Sequence, residues 1–181
     1  EATFWSPNGP TGNIYDPRVE YDTANNRFII VELHGNTSNL TEIYFAVSKT
    51  SDPMGGWWFY DFNANNGDPT LWFDYPQMAY SNQTLTVAGN MFTNVSGTGS
   101  VESKVWIYKL DDAYNGANVS SWYFDDVEID GNNTGSIVPC SYPFGSYGPG
   151  LYLISKQNTS GSARPCSDDG TRRYATCATE S

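Results

Sequence analysis

One four-part pattern runs through this chain twice and starts a third time, and it narrows the folding options more than any other feature. The first copy occupies residues 16–22, 27–33, 42–47 and 57–60, and the second occupies 74–80, 84–88, 104–108 and 122–124. Equivalent anchors drift slowly: Pro17 to Pro76 is 59 residues, Asn26 to Asn82 is 56, Val47 to Lys109 is 62, and Trp57 to Trp122 is 65. Only the connections change length. A third start is expected at Ser141, Tyr142, Pro143 and Phe144, followed by Leu151, Tyr152, Leu153 and Ile154. β-Branched and aromatic residues fill each run, while Gly, Asn, Asp, Ser and Pro fill the gaps, which is the chemistry of strands and turns.

Self-similarity at this period, with four short strands per repeat, is the pattern of a β-propeller blade. The expected fold is all-β, built from four-stranded antiparallel blades, with a two-sheet β-sandwich as the alternative. Ile29, Val31 and Leu33 face one way and Phe28 and Ile30 the other, so the second strand is apolar on both sides and its sheet should be covered on both faces. No segment reads as a helix. The division is residues 1–15 as an N-terminal extension, 16–72 as a first blade, 73–137 as a second, and 138–181 as a partial third. A closed propeller takes ~4–8 blades. The expected partners are therefore the remaining blades of a longer polypeptide or other copies of this chain. A start at Glu1, without Met or a leader pattern, fits a processed product.

Nine Lys and Arg against 20 Asp and Glu give a formal net charge of −11. Nucleic acid and anionic membranes make poor partners for such a surface. No apolar run approaches the ~18–20 residues that span a bilayer.

Seven Asn-X-Ser/Thr acceptors occur, at Asn36, Asn39, Asn82, Asn94, Asn118, Asn132 and Asn158. Random placement of this composition would supply about three such sites. All seven fall in predicted connections, where a bulky glycan can be carried. A secreted, extracellular or cell-surface glycoprotein is the expectation. Three cysteines, Cys140, Cys166 and Cys177, lie in the last quarter, and a local Cys166–Cys177 disulfide is the first choice for pairing, with Cys140 left over. Zinc is not expected, because there is no Cys-X-X-Cys pair and the single histidine, His34, is remote in sequence.

Residues 50–57 carry Thr50, Asp52 and Trp57 at the spacing of Ser/Thr-X-Asp-X-Gly-X-X-Trp, with Gly55 one position later than the pattern. This segment resembles the Asp-box turn of sialidase-like secreted propellers. The resemblance implies a structural turn, in which the Asp side chain ties the loop to backbone N–H groups and the tryptophan packs into its blade. It does not extend to catalysis, since the Arg-Ile-Pro opening motif of that family is missing. Arg18 is the only arginine placed near an expected axis. Residues 4–9 are similar to the Asn-Asp-Pro-Asn-Gly run of invertase-like glycosidases, but Ser6 stands where the nucleophilic Asp belongs. No catalytic set is assigned. Asp16 and Asp74, at the starts of first strands, are the best candidates for side chains lining an axis, with turn capping as the plainer role.

Residues 130–135 place oxygens at positions 1, 3 and 5 and glycine at 6 of a calcium loop, yet Ser141 occupies position 12 where a bidentate Glu belongs. The run 61–68 is likewise oxygen-rich and incomplete. Asx turns account for both. No metal or other cofactor is expected, and calcium is the one ion these loops could attract. The expected function is a structural or recognition module in an extracellular assembly, with a glycan as its candidate ligand. The alternative is part of a carbohydrate-active, sialidase- or glycosidase-like propeller enzyme.

Overall fold

The computed structural model describes residues 3–37, 39–93, 102–125, 127–129, 132–142, 151–156, 164–168 and 175–179. The fold is all-β. Strands β1 (Ile14–Asp22), β2 (Arg27–Thr37), β3 (Leu40–Ser48) and β4 (Trp57–Asn63) make a first antiparallel sheet. A second contains β5 (Leu71–Tyr80), β6 (Thr84–Thr93), β7 (Glu102–Lys109) and β8 (Ser121–Phe124), with a short helix α1 (Leu110–Tyr114) between its last two strands. A two-stranded ribbon, β9 (Glu128–Ile129) and β10 (Asn132–Asn133), precedes the third sheet of β11 (Gly135–Pro139), β12 (Leu153–Lys156), β13 (Arg164–Asp168) and β14 (Ala175–Thr179). Each four-stranded sheet is a simple meander in chain order, and none closes on itself.

Helix α1 and a single 3-10 turn at Ser6–Asn8 correct the expectation of a helix-free chain. Five residues are too few for a helical period to be read, although Leu110 and Ala113 are buried three apart and Asp111 and Asp112 sit in the first turn, where the helix dipole favours acids.

The sheets stack through their side chains. Ile29, Val31 and Leu33 of β2 and Ile43, Phe45 and Val47 of β3 form one core with Leu85, Val87 and Met91 of β6 and Trp106 and Tyr108 of β7. Each such aliphatic or aromatic side chain stabilises the fold by roughly 1.5–3 kcal/mol relative to exposure. Phe45 sits at the centre, its ring 4.8 Å from Tyr60 and 5.0 Å from Tyr108. On the other side of the second sheet, Ala88 and Val105 pack with Ile137 and Leu153 of the third.

The remaining face of the first sheet is covered by the chain's own N-terminal segment. Trp5 is fully buried against Tyr44 and Ala46, and Phe4 packs edge-on against Trp57 and Phe59. His34, 2% exposed, fastens this segment. Its Nε2 accepts the backbone N–H groups of Gly12 at 2.8 Å and Thr11 at 3.1 Å, so its proton lies on Nδ1, 2.7 Å from Glu42 Oε2. The covering of both faces explains why β2 is apolar on both sides.

A β-bulge recurs at one position of every four-stranded sheet. The ladder shifts between Tyr15 and Arg18 in β1, between Asp74 and Gln77 in β5, and between Gly135 and Val138 in β11. Inside each shift one non-glycine residue has positive φ: Asp16 at 55°, Tyr75 at 60° and Ser136 at 55°. Pro17 and Pro76 follow the first two, since a bulge frees the chain from the N–H a ladder would require. These bulges give the true register of the repeat. Asp16 is equivalent to Tyr75, not to Asp74, and the third sheet begins at Gly135, ahead of the predicted start at Ser141. Gly89 lies opposite the β5 bulge because a Cβ there would stand 2.4 Å from the Phe73 ring.

Candidate ligand-binding site

The bulges of β1 and β5 adjoin, and between them opens a cleft of about 610 Å³ lined by Asn13, Ile14, Tyr15, Asp16, Trp72, Asp74 and Tyr75. Both carboxylates singled out from the sequence, Asp16 and Asp74, thus reach one site. The aromatic residues there, Trp72 and Tyr75, were not anticipated. The available signal was a proline two residues after Asp74 in an otherwise regular strand, which marks a bulge and re-aims its neighbours.

Asp74 accepts the Tyr75 backbone N–H at Oδ1, 2.8 Å away. Burial pushes its carboxyl above the usual carboxylate range, the Tyr75 hydrogen bond opposes that rise, and the nearby charge of Asp16 adds to it. The Tyr15 phenol is raised by burial and then by Asp74 and Asp16, and its hydroxyl has no hydrogen-bond partner among the described residues. Tyr75 is 60% exposed although its φ is positive. A bulky side chain in that backbone region is an outlier, and such strain gathers at functional positions. Trp72 is steadied by Phe92, the ring centres 5.2 Å apart.

Arg18 does not line this cleft; its guanidinium donates to the Pro17 carbonyl at 3.0 Å. Among the described residues no group of three or more His, Cys, Asp or Glu is arranged to hold a metal. In the run 61–68, Asn63 Oδ1 accepts the N–H groups of Asn65 and Gly67, and Asp68 Oδ1 accepts from Thr70, so these oxygens stitch the connection from β4 to β5. Of the loop 130–135, Asp130 and Gly131 lie outside the described residues. Asn132 and Asn133 pair in the ribbon, and Thr134 is bound through N and Oγ1 to the Val127 carbonyl.

In the turn at 50–57, Asp52 Oδ1 accepts the Met54 N–H at 2.9 Å, Thr50 Oγ1 accepts the Asp52 N–H at 3.2 Å, and Trp57 Nε1 donates to the Pro53 carbonyl at 3.1 Å. The equivalent connection of the second sheet is α1, where Lys109 Nζ meets Asp112 at 2.9 Å. Of the glycan acceptors, Asn39, Asn82 and Asn118 are exposed in connections. Asn36 lies within β2, as the residue left over where the ladder shifts between Gly35 and Thr37, and Asn132 lies in β10. Asn94 and Asn158 are outside the described residues. Cys166 and Cys177 are directly opposed partners in the β13–β14 ladder. Cys140 is a half-buried free thiol, raised by burial.

No protein-family model, curated protein or solved structure matches this chain.

Proposed function

We propose that the chain belongs to a secreted, N-glycosylated β-propeller that works as a structural or recognition module in an extracellular or cell-surface assembly. The observation that carries this reading is the identical bulge in the first strand of three successive four-stranded meanders. Those first strands also approach one another. β5 packs on β1 and β2, β11 packs on β5 and β6, and Tyr142 N–H donates to the Tyr80 carbonyl at 3.0 Å. First strands brought together in this way are what blades around a common axis require.

Ring closure calls for further blades, from the same polypeptide or from other copies. Val138 and Ile154, partners across β11 and β12, are each 43% exposed on the far side of the third sheet, an apolar surface suited to a next blade. The Asp52 turn supports kinship with sialidase-like propellers in architecture, while the anionic cleft argues against a sialidase's anionic substrate.

Two measurements on native material test the proposal. Its intact mass should exceed 20.0 kDa and fall on enzymatic deglycosylation. Electron microscopy should show ring-shaped particles with a central axis. A bare chain mass and a compact two-layered monomer would overturn it in favour of a β-sandwich.

A further inference from the structure

The cleft between the bulges of β1 and β5 has a chemistry that selects among ligands. Its volume of about 610 Å³ falls within the ~300–1,000 Å³ of small-molecule sites. Two carboxylates, Asp16 and Asp74, and the Asn13 amide supply hydrogen-bonding groups, while Trp72 and Tyr75 supply flat apolar surface. No Lys or Arg is part of its described lining, so nothing there offsets the charge of an anionic ligand. A divalent cation fits poorly, because two carboxylates give too few oxygens for a hard ion and Asp74 already spends one on the Tyr75 N–H. An apolar ligand would leave both acids desolvated without partners.

We propose that this cleft binds a neutral, hydroxyl-rich saccharide, stacked by its C–H face on the Tyr75 ring and donating hydroxyls to the carboxylates of Asp16 and Asp74. Sugars present one apolar face and a rim of donors, and the cleft presents an aromatic ring and a rim of acceptors. Tyr75 is placed for this: its ring, 6.3 Å from that of Phe92, lines the cleft and stays 60% exposed at the bulge. The inference rests on the recognition role proposed above and gives it a ligand class.

The test is calorimetric titration of the glycosidase-treated chain with cellotetraose, mannotetraose and chitotetraose, with sialyllactose as the anionic counterpart. At least one neutral sugar should bind in the presence of a chelator, and sialyllactose should not. Tyr75→Ala and Asp74→Asn should each weaken that binding roughly tenfold, as expected for a lost stacking or charged hydrogen bond. Tyr75→Gly should lose the same affinity while raising the Tm, since glycine relieves the positive φ; this separates a binding defect from a folding defect. Failure of every neutral sugar, binding of sialyllactose alone, dependence on a divalent cation, or indifference to both Tyr75→Ala and Asp74→Asn would overturn the proposal. Mass and particle shape test the extracellular propeller without any sugar, so either can fail while the other stands.

Discussion

The Tyr114 hydroxyl donates to Asp22 Oδ2 at 2.6 Å, joining α1 of the second sheet to the first hairpin of the first across 92 residues. Asp22 is fully buried, and it also accepts the N–H groups of Ala24 and Asn25 and the Asn25 amide. Every lone-pair direction of the carboxylate is therefore used, which is the condition for keeping a charge inside a protein. Tyr114→Phe removes one of these bonds without changing shape and should cost about 1.5–3 kcal/mol. Asp22→Ala strands several donors and should cost more. Urea unfolding of the two variants checks the order; equal stability of wild type and Tyr114→Phe would show that the two sheets do not depend on this tie.

The same junction carries a steric prediction. Gly116 has φ 68°, and a Cβ built on it would stand 2.6 Å from the Trp58 ring, over which Lys49 Nζ also lies, 3.6 Å from the ring centre. Gly67 has φ 84° and open space around it. Gly67→Ala should cost only the left-handed backbone penalty, about 1–2 kcal/mol. Gly116→Ala should cost that plus about 1–3 kcal/mol for overpacking. The difference between their unfolding midpoints isolates the packing of α1 on the first sheet.

Strands were legible where side-chain chemistry declares them. Ile29, Val31 and Leu33 announced a two-sided strand because burial on both faces requires apolar residues at every position, and Trp57 and Trp122 marked the last strands. The partner on the outer face was not legible. Nothing local in Phe4 and Trp5 says that these rings will lie over Tyr44 and Ala46, because that contact is made over a long sequence separation. Asp16 and Asp74 invite matching because each precedes a proline, but Asp16 is one residue before Pro17 and Asp74 two before Pro76, and the shared bulge sets Asp16 against Tyr75. Asp16 and Asp74 were recognised as candidates from their strand position. The rest of their site was hidden because Trp72, in the regular ladder opposite Phe92, reads as an ordinary strand aromatic, and so does Tyr75 until the bulge turns it.

Buried and partly buried phenols give the fold an alkaline limit. Tyr15, Tyr44, Tyr60, Tyr80, Tyr108, Tyr114 and Tyr142 are all raised above the ordinary value of 10.0, with burial the largest cause for each. Tyr114 is raised further by its bond to Asp22. In the unfolded chain these groups lose protons near the ordinary value, whereas the folded chain holds them to higher pH. Their contribution to stability is therefore complete below pH 10.0 and is lost progressively as pH rises above it towards the folded values. Of the 13 tyrosines, exposed ones such as Tyr75 ionise without unfolding, but the phenolate absorbance of these seven should appear in a cooperative step coincident with loss of the far-ultraviolet circular dichroism. Ionisation of all the tyrosines ahead of unfolding would contradict the burial of these rings.

The β13–β14 ladder makes a covalent prediction. Directly opposed residues of an antiparallel pair have Cα atoms about 4.5–5.5 Å apart, inside the ~4.4–6.8 Å that a disulfide spans. Cys166 and Cys177 hold such a position. Closing the short loop between them should stabilise the third sheet by on the order of 2–3 kcal/mol. In oxidised native protein, peptide mapping should recover residues 166 and 177 in one linked peptide, and alkylation after denaturation should label Cys140 alone. Labelling of all three cysteines would remove the bond. A linkage from Cys140 to either of the others would instead overturn the β13–β14 register.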